Sequence, residues 1–232
     1  MHLRSSALAV VFISSIALFS QLTPVAEAHS WADCIDWRFN GKEDWSDDGG
    51  YCRGYARRFP VGKEFASLDH NSPSRHYQQD NDDLDPNRAL ACSDRKHGKD
   101  RGSDETRASP VSDAYTGSWG RMTTTEVGKK LCVRWPAKNH AESNEDDTIV
   151  QINLSTIKDG KDPDQEELLE NTVAKLKYKN CGHHKVPDKR PCGGCFEVPE
   201  RESGTYLLQW RWELNPGEWY TSCADVYINN KS

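Results

Sequence analysis

Eight cysteines (Cys34, Cys52, Cys92, Cys132, Cys181, Cys192, Cys195 and Cys223) all follow the chain's one long apolar run, which ends at Phe19. An even cysteine count in a chain bound for an oxidising compartment reads as four disulfides, and cross-links of that density suit a loop-rich architecture. The pairing stays open, because eight cysteines allow about 105 connectivities. The compartment is read from the N-terminus. Arg4 supplies a positive start, Ala7 to Phe19 is apolar, and Ala26-Glu27-Ala28 has the small-x-small form of a signal-peptidase site. That stretch is too short to span a bilayer comfortably, so residues 1–28 are expected to be a signal peptide and the protein to be secreted and extracellular. Cleavage after Ala28 would make His29 the first mature residue.

The chain has 232 residues, a net charge of −6 and a mean hydropathy of −0.85. One domain, 29–232, suits that length. Eight Trp, eight Tyr and six Phe can anchor a core, which excludes wholesale disorder. The acidic balance argues against nucleic-acid binding, which needs a basic face, and no second apolar run suggests membrane association.

Period-two alternation dominates. Leu131, Val133 and Trp135 alternate, as do Val150, Ile152 and Leu154, and Tyr206, Leu208, Trp210 and Trp212. A last run puts Tyr220, Ser222, Ala224, Val226 and Ile228 on one face. Strands of this kind without a βα rhythm predict an all-β, antiparallel β-sandwich with long disulfide-stapled loops. The one helical pattern is Asp164 to Lys177, where Leu168, Leu169, Val173 and Leu176 fall at near-helical spacing. From about Asp69 to Thr116 the chain is polar and reads as an ordered excursion stapled by Cys92. Asn153-Leu-Ser and Asn230-Lys-Ser have the form of glycosylation acceptors.

Three sites could carry chemistry. A mature N-terminal His29 would offer its α-amine, whose ordinary pKa of about 7.7–8.0 lets a metal displace the proton near neutrality, together with its ring. A second histidine would complete a tetragonal nitrogen set, which suits Cu(II). His140, after the strand and proline stop of Trp135-Pro136, is the natural partner, whereas His70, His76 and His97 read as solvated loop residues. Tyr220 opens the last strand on its inward face. Glu218, two residues earlier, falls on the same side, where its carboxylate could accept a hydrogen bond. Cys181-Gly-His183-His184 with Cys192-Gly-Gly-Cys195 has zinc-like spacing, but the oxidising compartment favours disulfides there. Cys52-Arg53-Gly-Tyr55-Ala-Arg57-Arg58 is a basic-aromatic stretch that reads equally as a carboxylate-binding surface and as a solvated turn.

Together, His29-Ser-Trp, Trp-Pro-x-x-Asn-His140 and Tyr220-x-x-Cys-Ala-Asp-Val resemble a lytic polysaccharide monooxygenase (LPMO). The run His29-Ser-Trp-Ala-Asp-Cys34 and the cysteine-rich body are most similar to the pectin-active family of oomycete plant pathogens. The resemblance implies an immunoglobulin-like sandwich holding one copper ion in a histidine brace. In that brace His29 and His140 would be ligands, Tyr220 the axial residue and Glu218 a neighbouring hydrogen-bonding group. It further implies oxidative cleavage of a plant cell-wall polysaccharide, homogalacturonan first, by a monomer using O2 or H2O2 and an external electron donor. The competing expectations are a non-catalytic copper-binding protein, a metal-free carbohydrate-binding effector, or the same chemistry on chitin or cellulose.

Overall fold

The computed structural model describes residues 30–47, 49–57, 77–80, 91–92, 106–107, 122–141, 147–156, 158 and 160–231. The signal-peptide reading of 1–28, His29, Arg58, His70, His76, His97 and most of the polar excursion lie outside them. The strands are β1 (Trp37–Arg38), β2 (Tyr51–Cys52), β3 (Tyr77–Asp80), β4 (Thr106–Arg107), β5 (Thr123–Glu126) and β6 (Lys130–Pro136). They continue with β7 (Ile149–Leu154), β8 (Gly160–Lys161), β9 (Thr172–Lys177), β10 (Pro191–Glu197), β11 (Gly204–Asn215) and β12 (Glu218–Asn229). One short helix, α1 (Gln165–Glu170), precedes β9.

The main sheet runs β3-β12-β11-β7-β9, and β5 also pairs with β12. Facing it is the antiparallel β6–β10 pair, so the protein is an all-β sandwich. The β5–β12 ladder is parallel, an exception to the antiparallel expectation. β11 and β12 form the long hairpin at its centre, turning at Pro216-Gly217. Gly217 has φ 85, a left-handed conformation that costs glycine nothing and suits the position after a proline in a type II turn. The alternating residues meet between the layers. Leu131, Val133 and Trp135 of β6 pack with Leu208, Trp210 and Trp212 of β11 and with Tyr220, Ala224, Val226 and Ile228 of β12.

The expected helix is only half present. Asp164 caps α1 by accepting from the Glu167 amide, and Asn171 ends it. Thr172–Lys177 then pairs with β7 as an edge strand, because Val173 and Leu176 bury more apolar surface against the sandwich than on a lone surface helix. Cys192-Gly-Gly-Cys195 lies within β10. The disulfides are Cys34–Cys52, Cys92–Cys223, Cys132–Cys195 and Cys181–Cys192. They divide the cysteines of the zinc-like cluster between two bridges, while His183 and His184 stand exposed. Cys92 does staple the excursion, to β12. Asn153 is buried, donates its amide to Gln209 and accepts from Thr172, so the folded chain offers no glycosylation acceptor there.

Arg57 overturns the reading of 52–58 as one basic surface. It is 5% exposed and donates to both carboxylate oxygens of Asp225, at 3.0 and 2.7 Å, and to Asp162 at 2.9 Å. Tyr55 is buried as well, its hydroxyl on the Cys52 carbonyl. Burial alone would lower the Arg57 pKa, but Asp225 and Asp162 outweigh it and hold the guanidinium well above its ordinary value. A base whose pKa is raised on folding contributes stability at every pH below its unfolded value, here the whole working range. Arg57→Met would leave two buried carboxylates facing each other, and a loss of about 3–5 kcal/mol is expected in denaturant unfolding at pH 7.

Candidate metal centre

Three segments meet at the rim where β6 ends and β12 begins. β6 stops at Pro136, and a 3-10 turn, Lys138–His140, carries the histidine. Proline removes a backbone donor and so ends the ladder, as the sequence suggests. The turn is fixed from beneath by Tyr178, whose hydroxyl donates to the carbonyls of Ala137 at 2.9 Å and Pro136 at 3.3 Å. Within the turn Lys138 has φ 50, a conformation that costs a residue with a Cβ about 1 kcal/mol and persists only where surrounding contacts impose it.

Trp212 organises the rim's interior. Its ring stacks on Tyr178 at 4.0 Å and lies 5.5 Å from the His140 ring and 5.8 Å from the Tyr220 ring. His140 and Tyr220 therefore flank one buried indole, though they are 80 positions apart in the chain. The His140 ring buries its Nε2 atom. The Tyr220 hydroxyl donates to Glu218 Oε1 at 2.6 Å, and Glu218 Oε2 accepts from the Asn215 amide at 2.6 Å. The same-side placement of Glu218 and Tyr220 is thus present as a direct hydrogen bond. It commits the tyrosine proton to the carboxylate and leaves the phenolic oxygen's lone pairs as acceptors.

The N-terminal segment completes the rim. The fully buried Ser30 donates its hydroxyl to the Pro136 carbonyl at 2.8 Å. Two residues on, the Ala32 amide donates to Ser222 of β12 at 3.1 Å. Asp33 grips Arg134 of β6 through two hydrogen bonds of 3.1 and 2.9 Å, and the Cys34 carbonyl accepts from the Arg134 amide. The Lys138 ammonium stands 5.3 Å from the buried Trp31 ring, a second tie between this segment and the histidine turn. One peptide unit thus separates His29 from a residue moored four positions before His140. Ser30, Lys138 and Trp212 are parts of this rim that the sequence reading did not single out. Lys138 carries no local signal, and Trp212 reads only as one more member of an alternating strand.

Among the described residues no three metal-ligating side chains converge, and His140 is the one member of the expected histidine pair that they include. The donor chemistry fits copper. An imidazole is present at a braced position, a tyrosine oxygen lies on β12 in the facing sheet, and Ser30, the residue after His29, is anchored to the Pro136 carbonyl.

No family model and no curated protein matches the chain. Among solved structures, it is similar to the catalytic domain of an LPMO from Listeria monocytogenes, at 17% identity and TM-score 0.39 over 76% of this chain and 96% of that one. It is also similar to a copper-bound, cellulose-active LPMO, CelS2, at 16% identity and TM-score 0.37 over 49% of this chain, spanning 55% of that protein. A chitin-binding domain from Burkholderia pseudomallei matches at 12% identity and TM-score 0.36, over 70% of this chain and 84% of that one. Likenesses this distant assign no activity, so the functional reading rests on the rim's own residues.

Proposed function

We propose that the protein is a secreted, copper-dependent polysaccharide monooxygenase acting on pectin, with homogalacturonan as its substrate. The observation that carries this is the Ser30–Pro136 hydrogen bond, which moors the residue after His29 beside the turn bearing His140. In this reading signal-peptide removal after Ala28 frees the His29 α-amine. That amine, the His29 ring and the His140 ring would hold one copper ion, with the Tyr220 hydroxyl beside it. Copper bound there would supply one-electron redox chemistry toward O2 or H2O2, fed by an external donor, that oxidises a carbon of the glycosidic linkage.

The chain's own contribution is placement. Tyr178 and Trp212 fix the orientation of the His140 turn before metal arrives, so little ordering is left to the binding step. Glu218 holds the Tyr220 proton, which keeps the phenol in one rotamer at the rim. The sandwich puts His140 and Tyr220 at the rim where β6 ends and β12 begins, which suits a long polymer crossing that end.

Incubating the mature protein with polygalacturonate tests the function. Oxidised oligogalacturonides are expected only when copper and ascorbate are both supplied. Tight copper binding with no oxidised product would leave a copper-binding protein instead.

The role of Tyr220 beside the copper has its own test. Tyr220→Phe keeps the ring against Trp212 and removes one hydrogen bond, so stability should fall by no more than about 1 kcal/mol. Copper should still bind, with a changed electron paramagnetic resonance spectrum. Spectra and rates identical to the parent protein would make Tyr220 a core residue only.

A further inference from the structure

We infer that a basic groove at the opposite end of the sandwich is a second binding site, for a carboxylate-bearing polysaccharide chain. β6 enters at Lys130 and reaches the rim at Pro136, and β12 starts at the rim and ends at Asn229. At about 3.4 Å per residue the two ends lie roughly 20–37 Å apart. At this far end a cavity of about 850 Å³ is lined by Arg38, Arg53, Lys129 and Lys130, with Glu126 as the one acidic residue among its described lining. Four cations against one acid is a local reversal in a chain of net charge −6.

The ribbon β1–β2 builds one wall. Arg38 and Tyr51 are cross-strand partners, and Arg53 follows two residues after Tyr51, so all three share one face while Trp37 and Cys52 turn into the core. Tyr51 is 60% exposed, a flat ring beside two guanidinium groups. The arginines are pre-set. Both contact the buried Asp36, at 2.8 Å for Arg38 and 2.7 Å for Arg53, and Arg53 also donates to the Thr124 carbonyl at 3.0 Å. The remaining charges are accounted for. Glu126 pairs with Lys231, which holds its carboxyl below the usual range through a hydrogen bond and through charge. Lys130 pairs with Glu43 and faces Glu197 across the β6–β10 ladder, and the Lys129 charge acts on Glu126 alongside that of Lys231.

A second observation points to a ligand. Thr125, 4% exposed, lines the cavity with its hydroxyl buried and without a hydrogen-bond partner among the described residues, and the Arg38 Nε is likewise buried without one. Buried donors left unmade cost free energy that a polar ligand would recover. Arginine forks match planar carboxylates, lysines add charge attraction, and an exposed tyrosine offers a face to a pyranose ring. A uronate chain presents all three complements at once. The inference shares with the proposed function only the class of polymer and needs no copper. A polymer held here while another stretch crosses the rim would stay with the protein between oxidative events, by raised effective concentration.

Metal-depleted protein titrated with polygalacturonate in low salt, by calorimetry, separates this from the copper reading. K129Q/K130Q changes two exposed residues, so folding should be intact, as equal unfolding midpoints would verify. Affinity for polygalacturonate is expected to fall at least tenfold in the double variant, with a shallower salt dependence, and Tyr51→Ala should weaken binding on its own. Fully methyl-esterified pectin should bind the parent protein poorly. Unchanged affinity in K129Q/K130Q would overturn the site. Equal binding of the esterified polymer, or tighter binding of dextran sulfate or RNA, would overturn the carboxylated polysaccharide as its ligand. Copper affinity should be the same in parent and variant.

Discussion

Replacing His140 with Ala is expected to lower copper affinity at least 100-fold, about 2.7 kcal/mol or more, while the protein remains folded. The ring is one of the two imidazoles in the proposed set, and the other described histidines, His183 and His184, are exposed beside the Cys181–Cys192 bridge. Stability should change little by comparison. His140 sits on a surface turn, is only partly buried, and lies against Trp212 in a tilted ring contact at 5.5 Å. Four disulfides and the Tyr178 anchor under the turn remain. Isothermal titration of copper into the variant, alongside a denaturant unfolding curve, checks both halves. Unchanged affinity would move the second ligand to His70, His76 or His97.

The effect should reach oxidation as well as binding. If Tyr178 and Trp212 hold the turn in the metal-free protein, His140→Ala removes a donor without loosening its surroundings, and added copper in excess should not restore oxidised product. Recovery of full rates at high copper would mean that His140 contributes affinity but not the arrangement on which turnover depends.

The parts of this molecule legible in the sequence are those governed by local periodicity. β6, β7, β11 and β12 alternate strictly, and each is a strand whose inward residues are the ones the alternation marks. The rim is legible for the same reason. A strand stopped by Pro136 places His140 at a sheet end, and a strand opened by Glu218 and Tyr220 places those two on one side. What escaped depends on partners far along the chain. Gly193 and Gly194 disfavour a strand locally, yet β10 forms there because its glycines make room: a Cβ at Gly193 would lie 2.2 Å from the Trp45 ring, and one at Gly194 2.8 Å from Leu176. Arg57 looks like a surface cation beside Arg58. Its carboxylates stand 105 and 168 residues away, and nothing nearby in sequence announces them. The helical spacing of Leu169, Val173 and Leu176 fits a helix and a helix-then-strand equally until β7 offers an edge to pair with.

The larger expected effect belongs to the other end of the proposed copper set. An α-amine binds a metal through a lone pair that becomes available near neutral pH, whereas an amide nitrogen in the same place has none to give. A single residue ahead of His29 would convert one into the other and leave both imidazoles untouched. It would also leave Ser30 free to keep its bond to the Pro136 carbonyl and Asp33 its grip on Arg134, so the fold should not change. Mass spectrometry of the secreted chain establishes first whether His29 is its terminus.

The decisive measurement compares that chain with the same protein carrying one Gly before His29, by copper titration and electron paramagnetic resonance of the Cu(II) form. The native terminus should bind one copper ion with a tetragonal, three-nitrogen spectrum and yield oxidised product. The Gly-extended chain should lose at least 100-fold in affinity, lose that spectrum, and yield none. Equal affinity and an identical spectrum in the extended chain would contradict a copper site built on the His29 amine.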